Sequence, residues 1–274
     1  FYPIGGFNAV IKSMEKLCID LGVKIITGNE VKKINIKNKK VVSVSTQNNE
    51  IETDYLIASA DYAHVENQLL EKKYRNYSTE YWNKKNFSPS SLLFYLGVSK
   101  KLNKLDHHTL FFDEDIEQHS NDIYEKPIWP KKPLFYACCP AKTDPKVAPK
   151  DKENLFILVP IAAGLNDTEE IREEYFKIVM KRLEKFCGEK IIEHIEYKKS
   201  YCVNDFITDY NAFKGNAYGL ANTLMQTANL KPKIVNKQVQ NMYYTGQLTV
   251  PGPGVPPSII SGQLVAEQII TKSK

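Results

Sequence analysis

The sequence predicts an α/β (α+β) chain in which one domain is interrupted by a second, and three observations carry this. A short strand, a proline-stiffened turn and a helix run from Met242 to about Thr271 near the end. A helix, a hairpin and a return strand open the chain before Asp61. Between them, from Tyr62 to about Val235, longer polar loops separate strands that suit a mixed or antiparallel sheet. The expected division is 1–61, an inserted domain at 62–235, and 236–274 returning to the first domain. With 274 residues, 42% of them hydrophobic, the chain can bury a sizeable core as one large domain or two.

Gly5-Gly6 precede a helix whose apolar residues Val10, Met14, Leu17 and Leu21 recur at steps of four, three and four, leaving one face for a core. Gly22 stops it. Val23 to Ile26, Val31 to Ile36 and Val41 to Thr46 read as strands, with tight turns at Asn38-Lys39 and Asn48-Asn49. Tyr55 to Ala58 is a further buried strand leading to Ser59-Ala60-Asp61.

In the inserted stretch, Ser91 to Val98, Thr109 to Phe112, Leu134 to Cys138 and Leu155 to Ile161 are the expected strands. Asp113 to Trp129 reads as an acidic, polar loop, exposed or serving as a lid. Asp167 and Glu170 form a capping box for a helix through Ile171, Tyr175, Ile178, Val179, Leu183 and Phe186, which Gly188 ends. Ile191 to Lys198 is another candidate strand.

At the far end, Met242 to Thr245 is a buried strand, Val250 to Pro257 a stiff turn, and Ser258 to Thr271 a helix. Gly246, Gly252 and Gly254 can take positive φ and let another group approach the backbone, while Pro251, Pro253, Pro256 and Pro257 fix φ. Free N–H groups after Pro257 then face whatever occupies the turn. By themselves these residues also fit an ordinary strand, loop and terminal helix.

With 37 basic and 32 acidic residues the chain is only mildly basic, and its lysine pairs are scattered, which argues against nucleic acid and leaves at most weak attraction to anionic lipid. The five cysteines lack metal-ligand spacing, and neighbours Cys138-Cys139 face opposite ways along a strand, as in a reduced intracellular protein. Neither a signal peptide nor a membrane-spanning apolar run is present. His107-His108 and His119 fall in loops with no ordered acid and nucleophile, so no catalytic residue and no metal ligand is assigned.

The closing segment, with Asn241, Tyr243, Tyr244, Gly246, Pro251, Gly252, Gly254, Val255 and Ser261, closely resembles the carboxy-terminal flavin-binding signature of bacterial-type phytoene desaturases, members of the FAD-dependent amine-oxidase-like superfamily. Gln247, Leu248, Val250 and Pro253 depart from the family's commonest choices. Tyr2, Pro3, Gly5, Gly6, Gly22, Val31, Ile34 and Ala60-Asp61 match the opening pattern, and Asn204-Asp205-Phe206, Gly215, Tyr218-Gly219 and Gln226 match a run between the family's substrate domain and its flavin.

The resemblance implies a partial FAD-binding Rossmann-like domain lacking its N-terminal βαβ unit, since no Gly-x-Gly-x-x-Gly with a following acidic strand is present. The chain, which begins at Phe1, is then a carboxy-terminal portion without about the first two fifths of the family pattern, inactive and a poor binder of FAD by itself. The implied cofactor is FAD, seated on Val31, Gly246, Gln247, Pro251, Gly252, Gly254, Val255, Pro256, Ser258 and Ile259. The implied reaction removes hydride and a proton from a C40 carotenoid hydrocarbon, with a later-step carotenoid desaturase, a carotene isomerase, a retinol saturase or a non-catalytic lipid-binding protein as alternatives. An aromatic-lined tunnel is expected around Phe94-Tyr95, Phe135-Tyr136, Phe206, Tyr210, Phe213 and Tyr218. The implied location is cytoplasmic, peripheral to the inner face of the cell membrane; oligomeric state is left open.

Overall fold

The computed structural model describes residues 2–273, so Phe1 and Lys274 lie outside the described residues. It divides into two compact units, the first made of the residues up to Ile26 with Ser91–Val203, the second of Thr27–Ser90 with Asn204–Lys274. The expected segment limits at 61/62 and 235/236 thus differ from the observed limits, because residues 62–90 and 204–235 associate with the opening hairpin and closing strand.

In the first unit, helix α1 (Phe7–Asp20) follows Gly5 and Gly6, both at positive φ. The expected helix forms, yet none of its residues is buried, and Leu17 is 57% exposed. Val23 to Ile26 is not a strand: these residues lie in irregular, exposed chain with no strand partner among the described residues. A strand needs a neighbour to satisfy its N–H and C=O groups, and an apolar run does not supply one.

Strands β1 to β4 (Val31–Lys37, Lys40–Thr46, Glu50–Glu52 and Leu56–Ala58) belong to the second unit. Strands β5 to β9 (Ser90–Val98, His108–Phe111, Phe135–Cys138, Glu153–Ile161 and Ile195–Tyr201) build the five-stranded sheet of the first, in the order β6-β7-β8-β5-β9. The pairs β6/β7, β7/β8 and β5/β9 are antiparallel. Strict alternation of burial along β8 gives the sheet one core face. There Leu92, Phe94, Ile157 and Val159 meet Tyr175, Val179 and Leu183, one face of a long helix at Glu169–Cys187.

That helix, α3, starts one residue later than a capping box on Asp167 requires: Thr168 caps it by accepting from the Ile171 N–H, while Asp167 pairs with Arg172 at 2.6 Å. Gly188 ends it at φ 71°. The expected acidic loop at Asp113–Trp129 contains helix α2 (Ile116–Tyr124), capped by Asp115. His119 lies on that helix, buried, with its ring bonded to the Pro160 carbonyl and the Leu134 N–H, and so is structural. His108 likewise lies in β6, not in a loop. The strand expected at Ile191–Lys198 begins at Ile195, after a short 3-10 turn.

In the second unit β1, β2 and β3 form an antiparallel sheet, with Asn38 and Lys39 both at positive φ in the β1–β2 turn. Strand β10 (Met242–Tyr244) is fully buried and runs parallel to β4. β4 is less buried than expected, with Ile57 45% exposed. Asn241 joins hairpin to strand, accepting from the Val41 N–H and donating to the Val41 and Asp54 carbonyls. Tyr62 stacks on Tyr244 with ring centroids 3.8 Å apart over a core that includes Trp82 and Val239. Helices α4 (Val203–Tyr210) and α5 (Val255–Ser273) complete the set of longer helices.

Candidate functional site

The site grows from the end of β10. The Thr245 N–H donates to Ala58, prolonging the β4 pairing, and the chain then turns at Gly246 with φ 107°. Ser261, buried on α5, accepts from the Gly246 N–H at 3.1 Å and shares a 2.9 Å hydrogen bond with the Thr245 hydroxyl. Strand, turn and helix are therefore tied by one side chain. Gly252 at φ 132° and Gly254 at φ 119° carry the turn onward, in a conformation that L side chains rarely adopt.

Beside this turn lies a cavity of about 460 Å³, lined among others by Ser59, Asp61, Tyr210, Gly246, Gln247 and Ser258. One wall is a polar chain. The Asn216 amide donates to Asp61 at 3.3 Å and its oxygen accepts from the Gly219 N–H and from the Gln247 amide. Asp61 also accepts from the N–H groups of His64 and Phe213. Burial pushes its carboxyl above the usual aspartate range against the opposing pull of those donors.

Lys231 is buried behind the turn, and its ammonium has no hydrogen-bond partner among the described residues. A Cβ added to Gly252 would stand 3.3 Å from Lys231 Cε and 3.4 Å from Nζ. Burial lowers the Lys231 pKa from the ordinary lysine value. A buried, unpaired cation is costly, and such a group in a folded protein calls for a partner.

Of the ten residues expected to hold a cofactor, Gly246, Gln247 and Ser258 line the 460 Å³ cavity. Pro251, Gly252, Gly254, Val255 and Pro256 continue the same turn, and Ile259 is exposed on α5. Val31 lies elsewhere in the unit, on a cavity of about 500 Å³ shared with Glu30, His64, Gln68 and Asn211. The helix begins at Val255, three residues before the expected Ser258. The Ser258 N–H is consequently not free but donates to Gly254, and Pro256 and Pro257 have none to offer. Lys231, whose ammonium lies against Gly252, is a residue the sequence does not single out. Asp61 is legible in sequence as the end of a short apolar strand and as part of the Ala60-Asp61 match to the family's opening pattern, without a role at the cavity.

The expected aromatic tunnel is divided. Phe94 and Phe135 are core, Phe206 and Tyr210 line the cavity, Phe213 packs on Phe87, and Tyr218 is exposed. Alternation along a strand places Phe94 and Tyr95, or Phe135 and Tyr136, on opposite faces, so neither pair lines one surface.

Three comparisons bear on the site. The family model described as flavin containing amine oxidoreductase matches residues 1–270. The chain is 41% identical over 270 residues to a carotenoid 3,4-desaturase of Haloarcula japonica, covering 98% of this chain and 54% of that protein. It is 27% identical to a zeta-carotene-forming phytoene desaturase of Myxococcus xanthus, covering 99% of this chain and 53% of that one. The chain thus spans about half the length of the curated relatives it matches. Among solved structures, an oxidoreductase from Methanosarcina mazei superposes with a TM-score of 0.64 at 16% identity, covering 97% of this chain and 55% of that one, a likeness of fold.

Proposed function

The chain belongs to the flavin containing amine oxidoreductase family, and from that premise we propose that it carries part of the FAD seat and the substrate-binding sheet of a carotenoid desaturase. The observation that carries this reading is the glycine cradle from Gly246 to Gly254 with the unpaired Lys231 ammonium behind Gly252. The three positions without a Cβ, Gly246, Gly252 and Gly254, let a ligand approach the backbone there, and an orphaned cation asks for an anionic group. The residues present therefore fit a flavin.

Bound FAD supplies the two-electron acceptance that removing hydride from an unactivated C–H bond requires, which no side chain here can provide. The protein's part is position and polarity. Gly246, Gln247, Pro251, Gly252, Gly254, Val255, Pro256, Ser258 and Ile259 would hold the cofactor, with the Val31 backbone meeting its adenine, as the family resemblance implies. The Lys231 ammonium, next to Gly252, would favour negative charge on a group seated at the turn. Asp61, engaged by N–H donors from His64, Phe213 and Asn216, keeps the cavity wall in place. No strong base is needed, because a proton next to a positively charged polyene is readily lost to water.

The first substrate is a C40 hydrocarbon such as phytoene. The higher identity to the carotenoid 3,4-desaturase favours a second reading, in which the substrate is already conjugated. Because either substrate dissolves in lipid, the protein works peripherally at the inner face of the cell membrane; among the described residues no helix is long and apolar enough to cross one.

The test is to incubate a full-length preparation, this chain together with the family's dinucleotide-binding unit, with FAD, remove free flavin, and supply phytoene or lycopene in liposomes. Retained flavin absorbance with a longer-wavelength product from phytoene supports the first reading, and from lycopene alone the second. A colourless protein overturns the flavin seat. Retained flavin with neither substrate changed overturns the desaturase.

A further inference from the structure

A second cluster stands in the sheet unit, apart from the features used above. His107, His108 and Cys138 bring one ligand atom each to within 4.8 Å of one another. The sequence hides it because thirty residues separate the two histidines from the cysteine, and only the β6/β7 register, which sets His108 opposite Cys138, closes that gap. Directly opposed residues of an antiparallel pair have Cβ atoms about 4.5–5.5 Å apart on one face.

The surrounding hydrogen bonds present the ligand atoms. His107 Nδ1 is engaged by the Thr143 hydroxyl at 2.6 Å, which leaves Nε2, a buried atom with no hydrogen-bond partner among the described residues. His108 Nδ1 meets the Tyr136 hydroxyl at 2.5 Å. Tyr2 closes one side, edge-on to His107 at 4.6 Å between ring centroids. Fixing one ring nitrogen by a neighbouring group is how proteins orient a metal-bound imidazole.

We propose that His107, His108 and Cys138 form a binding site for a borderline dication of the Zn²⁺ class. Two imidazoles and a thiolate select such an ion over Mg²⁺ or Ca²⁺, which take oxygen ligands. Ligand atoms around tetrahedral zinc stand roughly 3.3–3.8 Å apart, so the side chains close by about 1 Å on binding. The Cys138 thiol proton leaves to solvent as the sulfur–metal bond forms, and the fourth position is left to water. Such an ion would clamp the start of β6 to the end of β7. It needs no redox partner and is independent of the flavin reading.

The test uses purified, tag-free, reduced protein in chelator-treated buffer, titrated with Co²⁺ as a spectroscopic stand-in and back-titrated with Zn²⁺. The expected result is one Co²⁺ per chain with a near-ultraviolet thiolate charge-transfer band that Zn²⁺ abolishes. Cys138→Ser removes the band, and the exposed His108→Asn weakens binding by about tenfold or more while the metal-free melting temperature is unchanged. If Cys138→Ser does not fold, His108→Asn decides alone. Absence of the band, survival of the band in Cys138→Ser, or equal Co²⁺ affinity in His108→Asn overturns the site.

Discussion

Gly219 lies so close to Gln247 that a Cβ on it would stand 2.7 Å from the Gln247 carbonyl oxygen, and its φ is +69°. The obstruction is backbone, which cannot swing aside as a long side chain does. Gly219→Ala therefore combines a clash with a strained conformation, and we expect it to lower unfolding stability by roughly 2–3 kcal/mol. Because Gln247 lines the cavity, flavin retention should fall as well. Urea unfolding monitored by tryptophan fluorescence checks the first effect; a wild-type midpoint would contradict it.

Glu66 gives a pH dependence. It is fully buried and accepts from the N–H groups of Asn76 and Tyr77 and from the Tyr244 hydroxyl. Burial dominates over these donors and raises its carboxyl from 4.5 to about 7. A raised folded-state pKa means that the contribution is complete below pH 4.5 and is lost as pH rises through 7. That interval corresponds to roughly 3 kcal/mol by linkage. Unfolding free energy should thus decline between about pH 5 and 8, and Glu66→Gln should flatten the decline. Equal slopes in the two proteins would remove Glu66 as the cause.

How far these groups could be read from sequence depends on whether the signal is local. The β1–β2 turn, the Gly188 cap and the closing strand, turn and helix are written in adjacent residues, and all of them form. Helix α2 escaped because Ile116 and Ile123 are its only strongly apolar residues, so its periodicity is faint and the Asp115 cap is its main mark. The apolar face of α1 was legible as a face, but burial depends on a neighbour that a pattern cannot supply. At the site, the glycines announced their positive φ, whereas Lys231 shows itself only once the chain folds Gly252 over it.

Lys231→Met separates stability from binding. Without a ligand, removing a buried unpaired ammonium should leave stability unchanged or raise it by about 1–3 kcal/mol. FAD affinity should drop about tenfold, the equivalent of one charge-assisted hydrogen bond. Thermal melting of the flavin-free protein and equilibrium dialysis of the full-length preparation against FAD measure the two effects. A variant that loses stability while binding FAD normally would make Lys231 a structural residue.

Ser261 is where the strand, the turn and α5 meet, and its substitution tests whether that junction holds the cradle. Ser261→Ala leaves the Gly246 N–H without its acceptor in a part-buried setting and releases the Thr245 hydroxyl, for an expected loss of about 1–3 kcal/mol. Thr245→Val removes only the hydroxyl partner, so it should cost less. The two losses should also be non-additive by about 0.5–1.5 kcal/mol, because the residues share one hydrogen bond. Ser258→Ala is the control: exposed and bonded only to the Gly254 carbonyl one turn back, it should change stability by less than about 0.5 kcal/mol. A double-mutant cycle by denaturant unfolding reads all four values. Additive losses at 245 and 261, or a Ser258→Ala loss as large as that of Ser261→Ala, would mean that the helix start rather than the buried hydroxyl fixes the turn.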